Sequence, residues 1–287
     1  MVRPRMYVEA PPVTPLPFGL LSAALVLDDL TGHAQMGVQY EPEACGVAHA
    51  TRAACEDAAD GDTLDEDSGI PVVTADPFVV YTLFRCAPVG VDLEDRARRA
   101  LRMGEQRGVE EAVAGLLPLT DGAVDLTPTP GSATHPMEGL AILEGWSAAN
   151  YGGVGVIHSP RKATTLLPVE RNAGRLETRQ GTLIASGGGY HDLAGPPTDA
   201  ADPATVQAPA AGTAWLYVTG QVVVRRDPQV QATPLVMERT PAAKNVGRVL
   251  AERTYAASWE CITGAVLVST AFHNGFLGGT SYPGVGV

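Results

Sequence analysis

The chain has 287 residues, 45% of them hydrophobic, with 32 glycines and 23 prolines; it is long enough to bury a sizeable core as one large domain or two smaller ones. A charged fraction of only 18%, beside so many turn residues, suits a globular, sheet-containing protein that hides surface against neighbours. The 32 acidic residues outnumber the 20 basic ones, the net charge is −12, and Lys162 and Lys244 are the only lysines. This balance excludes the basic stripe that wraps nucleic acid, although an acidic wall can enclose DNA that other machinery forces in.

Residues 1–31 are expected to form an extended arm, because Pro4, Pro11, Pro12, Pro15 and Pro17 oppose helix and central strand alike. The apolar run 17–27 follows Arg3 and Arg5 as a leader would. Glu9 and the prolines interrupt its approach and Asp28-Asp29 close it without a small-residue cleavage site, so a removed leader is not expected. No run reaches the roughly 18 apolar residues that span a bilayer, and no membrane partner is expected.

Residues 32–76 carry few apolar repeats and a dense acidic run, Glu56, Asp57, Asp60, Asp62, Asp65, Glu66 and Asp67. Such a stretch is either disordered or a long hairpin-like excursion ordered by a partner. Calcium is not expected there, since the run lacks the alternating aspartates, glycine and closing glutamate of a calcium loop. Cys45, His49 and Cys55 could supply three zinc ligands but have no fourth close by. A local Cys45–Cys55 disulfide and simple thiols stay open beside that reading; with Cys86 and Cys261 the cysteines are too few and irregular for a secreted scaffold.

The run 77–84 is β-branched and aromatic and predicts a strand. A helix follows over 92–117: Asp92 can cap it, Glu94 and Asp95 suit its positive first turn, and Pro118 stops it. Its buried face is predicted as Leu93, Ala97, Leu101, Gly104, Gly108, Ala112 and Leu116. Threonine, proline and glycine dominate 118–136, a loop between two lobes. A second helix is expected from Pro136 to Asn150, ended by Gly152-Gly153. The period then changes to two, predicting strands at 154–158, 182–185, 213–219, 221–225 and 249–261 and an α+β class.

Chemistry is sparse. Ser186-Gly187-Gly188-Gly189-Tyr190 follows a predicted strand as a phosphate loop would, but no helix starts behind it, and a flexible turn is the better expectation. No nucleophile elbow or zinc-protease helix occurs. His158 is expected to be a satisfied strand-end histidine rather than a catalyst. No catalytic, cofactor-binding or metal residue is assigned and no cofactor is expected.

The order of elements resembles one family. A proline-rich arm, a long excursion, a strand, a long amphipathic helix, a second helix and a strand opening into Ser159-Pro160-Arg161 are similar to the layout of tailed-bacteriophage major capsid proteins. Gly155 to Ala163 with Leu166 and Leu167, Gly181 to Ser186, Ala214 to Val222, and Leu250 to Ala271 carry the likeness. It covers about 75–272 and rests on apolar spacing more than on signature residues.

The resemblance implies an α+β Hong Kong ninety-seven or Johnson fold with N-terminal arm, extended loop, long spine helix and mixed sheet domain. It implies 1–31 as arm, 32–76 as extended loop lying over a neighbouring subunit, 77–135 as peripheral domain with spine helix 92–117, 136–250 as mainly axial domain, and 251–287 as return strands and tail. The seven carboxylates would then face Arg96, Arg98, Arg99 and Arg102 of another copy. The implied function is a non-enzymatic coat subunit that tiles an icosahedral shell as hexamers and pentamers around double-stranded DNA, without sequence-specific binding.

Its implied place is the virion, assembled in the host cytoplasm. Scaffolding, portal and decoration proteins would be separate chains. Some members of the family crosslink through a lysine in the extended loop; 32–76 contains none, so a noncovalent shell is expected. An encapsulin-like nanocompartment shell, a soluble oligomeric enzyme, and a minor vertex or decoration protein of the same virion are the alternatives.

Overall fold

The structure is a computed structural model, and it describes residues 11, 13–42, 45, 72–86, 92–235 and 247–271. Two sheets share one ribbon. The first is built on the strand Gly247–Trp259. Pro77–Cys86 runs antiparallel along one side of it; Val222–Arg226 and Gln231–Leu235 run antiparallel along the other. Leu25–Leu27 adds a parallel strand beside Val222–Arg226. The second sheet has seven strands in the order Val124–Asp125, Thr263–Ser269, Thr213–Thr219, Val156–Pro160, Leu183–Gly187, Arg175–Glu177 and Glu170–Asn172.

The strand pair 213–219 and 263–269 continues directly into the pair 222–226 and 247–259, so the ribbon leaves one sheet and enters the other at Gly220-Gln221 and Glu260–Ile262. The strands therefore change sheet at 220 and 261. At this crossing Gly220 has no room for a side chain, because a Cβ would overlap the Glu260 carbonyl.

The long helix, Leu93–Leu116, starts where expected, with the Asp92 carboxylate accepting from the Asp95 amide at 3.1 Å. Its buried row differs from the expected one beyond Leu101. Ala97, Leu101, Val109, Val113 and then Leu117 are buried at i+4 steps, whereas Gly104 and Leu116 are exposed. Glu105 occupies the place in that row which apolar counting skips, because two arginines and a tyrosine of the first sheet receive its carboxylate. Gly108 lets the helix press on Val80, since a Cβ there would stand 2.5 Å from a valine methyl.

Alternation in 213–219 decides how the second sheet is covered. Trp215 and Tyr217 join the long-helix core, while Ala214, Leu216 and Val218 face the other way with Leu140 and Leu143 of the helix Pro136–Asn150. Both faces are dry, which is why Val156–Pro160 is buried at every position rather than at alternate ones.

The N-terminal segment is more than a proline-stiffened arm. Leu20–Ala23 forms one helical turn and Leu25–Leu27 a strand, and Leu20, Ala23, Ala24 and Leu30 are buried. Past Pro17 the prolines stop, and the apolar run 18–27 lies against its own chain. Val38–Tyr40 pairs antiparallel with Val73–Ala75, which brings both ends of the 32–76 excursion side by side. The seven carboxylates between Glu56 and Asp67 lie outside the described residues.

Candidate functional site

The glycine-rich loop cradles a carboxyl group, and that group belongs to the protein. Glu110, on the long helix, is fully buried and accepts from the Gly189 amide at 2.9 Å and the Leu20 amide at 3.0 Å. A Cβ at Gly187 would overlap the Glu110 carboxyl, and one at Gly189 would stand 2.5 Å from the Arg107 carbonyl oxygen. The expected flexible turn is instead a tight packing joint that needs two of its three glycines; Gly188 has open space around it. Burial pushes the Glu110 carboxyl above its ordinary range, opposed by the Gly189 and Leu20 amides and by the Arg161 guanidinium.

A second, partly buried carboxylate ties the arm, long helix and first sheet together. Glu105 accepts from the Tyr255 hydroxyl at 2.8 Å and from Arg253 at 3.3 Å, and its other oxygen lies 3.6 Å from Arg226. Asp28, from the N-terminal segment, accepts from Arg226 at 2.6 Å and Arg253 at 3.1 Å. The Arg226 hydrogen bond holds the Asp28 carboxyl below the usual range. Asp29 pairs with Arg225 one residue further on. Four arm, helix and sheet elements are thereby held by charge-assisted hydrogen bonds rather than by apolar contact alone.

His158 is wholly buried, with Nδ1 2.9 Å from the Tyr190 hydroxyl and Nε2 3.0 Å from Thr219 Oγ1. Thr219 Oγ1 donates to the Gly220 carbonyl, so it accepts from Nε2–H, and Tyr190 O–H donates to Nδ1. Burial drives the imidazole pKa down to about 3. A neutral ring with both nitrogens satisfied and no access to solvent is a structural bridge; it is satisfied as expected, but it sits mid-strand in Val156–Pro160 rather than at a strand end.

The cysteine expectations change. Cys45 is bonded to Cys261, 216 residues away, with Cα atoms 5.1 Å apart. This removes Cys45 from a local disulfide with Cys55 and from a zinc set with His49, and neither of those partners lies among the described residues. Sequence spacing could not find the pair, because only the fold brings the excursion's root to the sheet crossing. Among the described residues no group of three or more potential ligands could hold a metal ion, and no helix is long and apolar enough to cross a membrane.

The outer surfaces carry exposed apolar and charged side chains. On the strand 77–86, Phe78 and Val80 pack inward while Val79, Tyr81 and Leu83 stand exposed, an apolar row along the sheet margin. The four arginines singled out on the helix differ among themselves. Arg98 is held by Glu94 and Asp95 of its own helix at 3.3 and 3.1 Å, Arg96 is half-buried, and Arg99 and Arg102 are exposed. An open groove of about 650 Å³ runs beside the second helix, walled by Met137, Leu140, Glu144, Val154, Arg179 and Thr182. Thr182 donates to Glu144 Oε2 at 2.7 Å.

No known protein-family model matches this sequence, and no curated protein does. Solved structures do. The chain is similar to the capsid of Ralstonia phage GP4, with a TM-score of 0.53 over 94% of this chain and 96% of that one at 8% identity. It is equally similar to a chain of the cyanophage Pam1 capsid, with a TM-score of 0.53 over 94% and 97% at 8% identity. A weaker likeness, TM-score 0.46 over 71% and 80% at 11% identity, is to the SrpI encapsulin of Synechococcus elongatus.

The two capsid likenesses define the class of fold: a mixed α+β capsid fold of the tailed-phage, Johnson type. The long helix on a long-stranded sheet, and the two-sided second sheet joined to it by one ribbon, are this chain's version of it.

Proposed function

We propose that this chain is a major capsid protein, a non-enzymatic coat subunit that self-assembles into an icosahedral shell enclosing phage DNA. The observation that carries the reading is the likeness to two phage capsid subunits over 94% of the chain, end to end on both sides of the comparison. The interior supports it. The glycine loop and His158, which the sequence offered as chemical candidates, and the Glu105 and Glu110 carboxylates are all engaged in internal hydrogen bonds.

In this reading the long helix and first sheet form the peripheral domain, with Leu93–Leu116 as spine. The second sheet and the helix Pro136–Asn150 form the axial domain near each capsomer centre. The excursion rising from the 38–40 and 73–75 ladder is the extended loop over a neighbour. Its carboxylates, Glu56 to Asp67, meet Arg99 and Arg102 of that neighbour, with Arg98 and Arg96 behind them. Exposed pairs are worth about 0.2–1 kcal/mol each, so they set register more than strength. The net charge of −12 suits a wall that must not hold the packaged polymer.

Expression alone and together with neighbouring genes, followed by negative-stain electron microscopy, tests the proposal. Closed shells or capsomer rings support it, and nucleic acid inside them separates a virion from a cargo compartment. A discrete monomer or dimer in every condition would overturn it.

A further inference from the structure

The Cys45–Cys261 bond lies at the crossing where the shared ribbon passes from one sheet to the other. Cys261 is the middle residue of the Glu260–Ile262 crossing, where the second strand of the shared ribbon leaves the first sheet. It adopts a left-handed backbone, φ 54°, that a side-chain-bearing residue rarely takes. Around it Gly220 and Ile262 share one backbone bond of 3.3 Å, Glu260 and Gln221 one of 3.2 Å, and the Trp259 indole donates to Thr263 Oγ1 at 2.9 Å. Tyr151, at the end of the second helix, accepts from the Gln221 amide at 3.0 Å and donates to Glu260 at 2.7 Å. Cys45 arrives from another direction, five residues beyond the end of the 38–40 strand.

We infer that Cys45 and Cys261 form a redox latch that locks the root of the 32–76 excursion onto the crossing between the sheets. The Cα separation of 5.1 Å lies inside the span a disulfide bridges without backbone movement. Cys261 is exposed and Cys45 is half-buried, so small thiols and disulfides can reach the pair. The bond closes a loop of 216 residues that contains the long helix and most of both sheets. Beside it, Glu41, Pro42, Tyr151, Arg175, Gln221 and Glu260 line an open cleft of about 740 Å³. The latch fixes the wall made by Glu41 and Pro42 relative to the wall made by the crossing.

Closure is a thiol–disulfide exchange with a small-molecule disulfide such as oxidised glutathione. One protein thiolate attacks a sulfur of that disulfide, forming a mixed disulfide and expelling one small thiolate. The second protein thiolate then attacks the protein sulfur of the mixed disulfide and expels the other. Two protein thiols are oxidised, two small thiols are produced, and a dithiol reverses the sequence. The latch is therefore open in a compartment with a reduced thiol pool and closed outside it.

The test uses the full wild-type chain, oxidised with glutathione disulfide or reduced with a phosphine, and reads single subunits whether or not they form shells. After denaturation, maleimide labelling with peptide mass mapping should find Cys45 and Cys261 protected in the oxidised sample, joined in one crosslinked peptide, and labelled in the reduced one. Closing so long a loop should raise the melting temperature by roughly 10 °C over the reduced protein. Cys45→Ser and Cys261→Ser should lose this redox dependence and Cys55→Ser should keep it. Full labelling of Cys45 and Cys261 after oxidation, or wild-type melting that is the same in both states, would overturn the latch.

Discussion

Removing the Glu110 carboxylate should loosen the N-terminal segment and the glycine-rich loop together. In Glu110→Ala the Leu20 and Gly189 amides lose their acceptor while staying buried. An unpartnered buried donor costs about 1–3 kcal/mol, so two give roughly 2–6 kcal/mol, before any loss from the cavity. Glu110→Gln keeps one acceptor oxygen and turns an amide group toward the other donor, so about half that cost is expected. Desolvation of the ionised carboxyl already works against the wild type, which brings the glutamine variant closer still.

Urea unfolding of dispersed subunits, followed by tryptophan fluorescence, measures both variants. Limited proteolysis across 11–24 reports whether the N-terminal segment has come loose. Equal costs for alanine and glutamine, or an alanine variant within 0.5 kcal/mol of wild type by the usual surface range, would refute the reasoning.

The glycines of the same loop provide a contrast. Gly187→Ala and Gly189→Ala should each cost about 1–3 kcal/mol through overpacking, while Gly188→Ala, with open space around it, should be close to neutral in the same urea assay. His158 sets a pH dependence. Its folded pKa of about 3 lies below the ordinary 6.5, so the unfolded chain alone takes up this proton as pH falls below 6.5. Stability that is complete above 6.5 should therefore drop by about 2 kcal/mol at pH 5, and His158→Gln should remove that slope while lowering stability at neutral pH. Reversing Arg99 and Arg102 to glutamate should leave subunit melting unchanged and reduce shell yield. Reversal of Asp62 and Asp65 to arginine should restore it, and wild-type yield from the first variant would remove the acidic run from the interface.

The elements with a strong local signal were legible before the fold was known. Asp92 and Pro118 bracket the long helix, Pro136 and Gly152 the second, and the alternation in 213–219 matches its strand residue for residue. What was not legible depends on partners distant in sequence. Glu105 breaks the apolar row of the long helix unless Arg226, Arg253 and Tyr255 are known to stand opposite. The three glycines at 187–189 signal a turn locally, and only the packing of Glu110 against them shows which two cannot change. Short strands such as Glu170–Asn172 and Arg175–Glu177 carry too few apolar residues to show a period. Cys45 sits beside Cys55 in sequence but beside Cys261 in space, a choice that spacing does not make.

The coat reading itself rests on assembly. Cryo-electron microscopy of the purified particle, at a resolution that traces the chain, is the most direct test. The account predicts closed icosahedral shells of five-fold and six-fold rings, with the second sheet nearest each ring axis and the long helix toward the rim. It also predicts each 32–76 excursion lying across the adjacent subunit with its carboxylates near Arg99 and Arg102. Particles that are not closed shells, or rings with the long helix at the axis, would contradict it.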